Sequence, residues 1–142
     1  MWGKWRRNVV LLKPSFLARA RTLGALPSSA ACRRLAARVL DQGYAYLLTA
    51  MKHRGESLGL APSKLVDIGV HTVILDTVAY AELCERFNGG VFLHHVPKVG
   101  MKNDGSVMKT AHIVAADGWQ VDLSLWVDAA ECGPCHPGND SH

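Results

Sequence analysis

The sequence predicts a small, mostly helical domain with little strand: two long helices, a third shorter helix and a Cys/His-rich C-terminal tail. Three observations point there. Apolar residues recur at three-to-four spacing through two long stretches, the repeat of a helix that buries one face. Each stretch opens on a serine that follows a proline-containing loop and closes on glycine, which are helix start and stop signals. Strand-type segments are few and short.

The elements follow in order. Residues 1–27 read as a basic arm carrying Trp2 and Trp5, with a short helix from Ser15 to Leu23. Pro27-Ser28-Ser29 starts the first long helix. Its apolar positions are Leu35, Val39, Leu40, Tyr44, Leu47 and Leu48, and it ends near Arg54-Gly55. Residues 55–62 form a loop. Ser63 caps the second long helix, whose apolar set is Leu65, Val66, Ile68, Val73, Ile74, Val78 and Leu83, and Asn88-Gly89-Gly90 stops it. Val91-Phe92-Leu93 reads as a short buried run, extended in form, and Val96 before Pro97 is biased away from helix. A third helix spans Ser106 to Asp117 and closes at Gly118. Leu125-Trp126 then packs on the core. The expected organisation is an arm over 1–27, a helical domain over 28–130 and a tail over 131–142.

At 142 residues with 49% apolar and 20% charged side chains, the chain is long enough to bury a core without staples. Its charge is lopsided. Residues 1–40 carry nine Lys/Arg and no acid, whereas residues 41–142 carry seven Lys/Arg against twelve Asp/Glu, so +9 and −5 give the net +4. A basic stretch of this kind suits nucleic acid, an anionic surface or an acidic partner. No run of about 18 apolar residues exists to span a membrane. Val9 to Leu12 is cut short by Lys13-Pro14, well below a signal-peptide core. The expected location is therefore cytoplasmic, with the four Cys as thiols or ligands rather than bridges.

The chemistry concentrates between His71 and Pro97. Asp67 and His71 are four apart on one helix face, so Asp67 can hold one ring nitrogen of His71 and leave the other for a metal. Asp76, Tyr80 and Cys84 form a second stripe at the same spacing. His71 and Cys84, thirteen apart, fall about 140° apart on a straight helix. They converge only if the helix breaks near Asp76-Thr77, where Asp is a natural cap. In an extended segment His94 and His95 point to opposite sides, so at most one of them faces the helix. The tail offers Cys132, Cys135 and His136. No helix can follow Pro137-Gly138, which argues against a thioredoxin-like redox pair, whereas two Cys at this spacing suit zinc. The metal ligand set is His71, Cys84, His94, His95, Cys132, Cys135 and His136. Asp76 and Tyr80 are the acid–base candidates should the site be catalytic. Cys32 and His112 read as packing residues, and His53 as solvated.

The stretch from Leu65 to Thr77, with Tyr80, Cys84, Gly90 and His94-His95-Val96-Pro97, resembles a family of short bacterial glycine-rich domain-containing-like proteins. These are similar to the N-terminal part of larger plant glycine-rich-domain proteins. The resemblance covers about Arg34 to His136 and leaves out residues 1–27. It implies that His71, Tyr80, Cys84 and His95 are the characteristic positions, and it implies no assigned reaction. Val70 stands where the family pattern has a Trp. Association of some members with specialised-metabolite genes makes a tailoring enzyme or accessory protein the family-based expectation. Taken together, the sequence indicates a small metal-binding protein with zinc as the default ion and an unidentified small-molecule or protein partner. A non-catalytic interaction domain recruited through the basic arm is the alternative.

Overall fold

The computed structural model describes residues 29–96 and 104–127. These residues form five helices, which we number α1 (Ala30–Lys52), α2 (Lys64–Leu75), α3 (Thr77–Phe87), α4 (Ser106–Ala116) and α5 (Leu123–Trp126), with no strand among them. No helix among them is long and apolar enough to cross a membrane. The expected helix over 15–23 and the tail over 131–142 lie outside the described residues.

The expected caps are in place. Ser29 Oγ accepts from Cys32 N at 3.1 Å and Ser63 Oγ accepts from Val66 N at 3.2 Å, each filling an orphan donor at a helix start. The second long helix is broken, as the Asp76 cap signal suggests. α2 ends at Leu75, Asp76 leaves the helical region at φ −79° and ψ 78°, and its Oδ1 accepts from Ala79 N at 3.2 Å to start α3. At the far end of α3, Gly89 and Gly90 take φ of 61° and 77°, values that side chains resist, and the chain turns away.

α1 is the axis of the fold. It is amphipathic over its first turns only, because every residue from Gln42 to Thr49 is buried. α2, α3 and α4 all pack against it, and α2 does so most extensively. That crossing is close because two glycines meet there. A Cβ on Gly43 would lie 2.6 Å from the Gly69 carbonyl carbon, and one on Gly69 would lie 2.4 Å from the Val39 oxygen. Tyr44, Leu47, Val66, Val70, Val73, Tyr80, Leu83, Val114 and Trp126 fill the core around the crossing.

A polar knot closes the other side of α1. Buried Gln42 accepts from Trp126 Nε1 at 2.8 Å and from Asp122 N at 3.1 Å, and its amide donates to Gln120 O at 3.0 Å. The knot and the Ser63 hydroxyl, which donates to Leu125 O, seat α5 beside the start of α2. Leu125 and Trp126 are thus core residues, as expected.

Three expectations fail. Val91 and Phe92 are exposed at 50% and 45%, and only Leu93 of the presumed buried run packs on the core. Val91 follows the Gly89-Gly90 turn and faces out, and from Phe92 onward outward and inward side chains alternate along the surface. His112 is on the solvent face of α4 rather than packed. His53 is not simply solvated. Its Nδ1 lies 2.8 Å from Glu56 Oε2 and its Nε2 3.0 Å from Asp117 Oδ2, and Lys52 also pairs with Asp117.

Candidate metal centre

The break at Asp76 lets the chain after α3 return along α2. Asn88, the C-cap of α3, donates from its side-chain amide to Val91 O, and the Tyr80 hydroxyl donates to Leu93 O. Phe92 stacks edge-on against Tyr80 with ring centroids 4.8 Å apart. These contacts hold residues 91–96 against the helices, and the alternating exposure from Phe92 to Val96 settles which histidine turns inward. The His95 side chain is only 12% exposed, whereas His94 is exposed with its ring beside Phe92.

His95 arrives over α2 at Asp67 and His71. His95 Nε2 lies 2.9 Å from Asp67 Oδ1, and the rings of His95 and His71 meet edge-on with centroids 4.9 Å apart. His71 Nδ1 lies 2.8 Å from the Asp67 backbone oxygen and 3.2 Å from its Oδ2. The carbonyl oxygen can only accept, so Nδ1 is the donor in this bond, and a neutral ring so held has its lone pair on Nε2. This backbone clamp on Nδ1 is the outer bond that orients a metal-binding imidazole. One donor atom from each of Asp67, His71 and His95 falls within 4.8 Å of the others.

His95 Nε2 has an unusual position. It is buried, and despite its closeness to Asp67 Oδ1 it lacks the alignment a ring N–H needs, so it makes no hydrogen bond among the described residues. A buried ring nitrogen and a carboxylate oxygen facing each other at this distance need a hydrogen or a cation between them, because two lone pairs repel. The two ways to supply it are a ring N–H that turns into line and a shared metal ion.

The centre is open on one side. Asp67 and His71 side chains are 30% and 40% exposed. Below them the environment is apolar. Burial and, second, the Asp67 carboxylate push the Tyr46 phenol up to about 12. Burial, with the adjoining Cys84 thiol adding to it, also raises Tyr80, so its hydroxyl stays a proton donor to Leu93 at any ordinary pH.

The expected site residues therefore divide. His71 and His95 come together, and His94 faces away from them. Cys84 is 2% exposed in the core beside Tyr80 and is not a member of the donor group. Asp76 caps α3, and Tyr80 reaches the backbone of the segment that carries His95. Cys132, Cys135 and His136 lie outside the described residues. Asp67 is the member that sequence reasoning undervalued, reading it as the partner of His71 rather than as a donor in its own right. A comparison with protein-family models, curated proteins and solved structures finds no match for this chain.

Proposed function

We propose that this protein binds a divalent transition metal through Asp67, His71 and His95, with zinc the first choice. The supporting observation is the buried His95 Nε2, 2.9 Å from Asp67 Oδ1 without a hydrogen bond. Two imidazoles and one carboxylate are a borderline-hard donor set that suits zinc and its neighbours better than calcium or magnesium. In a tetrahedral zinc site, donor atoms lie about 3.3 Å apart, so a set spread over as much as 4.8 Å must close by up to about 1.5 Å around the ion. With three protein donors the ion keeps at least one position for water or another ligand, the arrangement of a catalytic rather than a purely structural site. Of the seven ligands the sequence suggests, this reading uses His71 and His95 and adds Asp67, while Cys132, Cys135 and His136 lie outside the described residues.

The test is metal content and affinity. Purified without chelator, the wild type is expected to carry about one ion per chain, and His71→Ala and His95→Ala to lose most of it. Cys84→Ala should keep its ion and lose stability instead, by about 1–2 kcal/mol for a small buried hydrophobe. Wild-type protein that binds neither zinc nor cobalt in a chelator competition would leave His95 as a polar neighbour of Asp67 and remove the proposal.

A further inference from the structure

The three donors sit on a surface whose neighbouring side chains say what enters the open position. Ile68 and Leu75 stand three residues before and four after His71, so both border it on the same face of α2. They are 58% and 79% exposed, and half-buried Thr72 between them donates its hydroxyl to the Ile68 carbonyl at 2.7 Å, so that hydroxyl is already engaged within the helix. Among the described residues nothing covers this stripe. Nothing in the packing of α2 needs it either, since Val66, Val70 and Val73 make the contact with the core. A divalent ion held by one carboxylate and two neutral imidazoles leaves one positive charge uncompensated. The open position therefore favours an anionic ligand, and the stripe beside it favours an apolar body.

We infer that the centre takes a small amphiphilic anion, with an oxygen-donor head on the metal and an apolar tail along Ile68, Thr72 and Leu75. This rests on the metal-binding reading above and deepens it. The occupant is a free molecule rather than a thiol of the same chain. The head supplies the charge that the three protein donors lack, and the tail covers an apolar stripe that no described residue covers.

Cobalt-loaded full-length protein tests it, because visible d–d absorption reports ligand exchange at the ion. Titration with acetohydroxamate and octanohydroxamate compares one head on two tails. The longer probe should bind at least roughly tenfold tighter, the gain from burying about two of its extra methylenes. Ile68→Ser with Leu75→Ser should cut that ratio several-fold while leaving acetohydroxamate affinity and cobalt content unchanged. Both residues are exposed, so the fold should tolerate the changes, and unaltered far-ultraviolet dichroism verifies this. Equal affinity for the two probes overturns the inference. So does a cobalt spectrum that neither probe alters. A thiolate charge-transfer band in wild type that vanishes in Cys132→Ser or Cys135→Ser would identify the chain's own tail as the occupant and also overturn it. Failure to load cobalt at all would fall on the metal reading itself.

Discussion

Tyr80 shows how one residue can matter to a centre it never touches. Its spacing from Asp76 and Cys84 makes it an acid–base candidate in the sequence. The structure gives its hydroxyl a fixed partner, the Leu93 carbonyl two residues before His95. Tyr80→Phe keeps the packing and deletes that bond. It should cost about 1 kcal/mol in stability and weaken metal binding roughly tenfold, as loss of an outer orienting contact does. Denaturant unfolding and competitive metal titration read the two effects separately. A direct proton-transfer role would leave affinity unchanged.

His53 makes the case for pH. The hydrogen bond to Glu56, followed by that to Asp117, raises its pKa above the ordinary 6.5, although burial works the other way. A raised folded pKa means the charged ring stabilises the fold. The contribution is complete below the unfolded value of 6.5 and is lost as pH climbs through the folded value. Wild type should therefore exceed His53→Gln in melting temperature at about pH 6, with the gap shrinking by about pH 9. A gap that grew with pH would contradict the assignment. The sequence hid this pairing because Asp117 is far along the chain, whereas the Ser29, Ser63 and Asp76 caps were legible because each acts on a neighbour.

At the scale of elements, the same division explains what could be read in advance. Helix starts and stops depend on local chemistry, and serine, aspartate and paired glycines announce them. The break at Asp76 followed from an awkward spacing plus a capping residue. The side chosen by His95 over His94 needed the anchors at Asn88 and Tyr80, which only the fold supplies. The α1–α2 crossing was illegible. Glycine within a helix is ordinarily a weak point, and nothing in the sequence pairs Gly43 with Gly69. Gly69→Ala replaces a residue of poor helix propensity by the best one, yet it should destabilise by about 1–3 kcal/mol, since its methyl meets the Val39 carbonyl at 2.4 Å. Exposed Ala81→Gly in α3 makes a useful contrast, costing only about 1 kcal/mol through propensity. Equilibrium denaturation of the two variants checks the ordering.

For the whole molecule, an ion that binds only the folded chain adds its binding energy to stability. At a hundredfold excess over the dissociation constant the gain is about 2.7 kcal/mol. In a domain of about 100 residues that raises the melting temperature by roughly 10–20 °C. Thermal scans with added zinc and with chelator should show this shift in wild type and lose it in His95→Ala. An equal zinc response in the variant would place the ion elsewhere. The charge split along the chain belongs to this scale too. The described residues include only Arg33, Arg34 and Arg38 of the nine early cations, and Arg38 is committed to Asp122 at 2.7 Å, with its guanidinium holding that carboxyl below its usual value.

Gly69 stands midway between Asp67 and His71, so the helix bearing both donors is pinned, backbone against backbone, to the axis of the fold. His95 rides on six residues tied down by a few side-chain bonds. In the proposed metal centre, α2 is then the fixed jaw of a vice and residues 91–96 the adjustable one. Ion preference should respond to substitutions in residues 91–96 that spare His95 more than to those in α2 that spare Asp67 and His71.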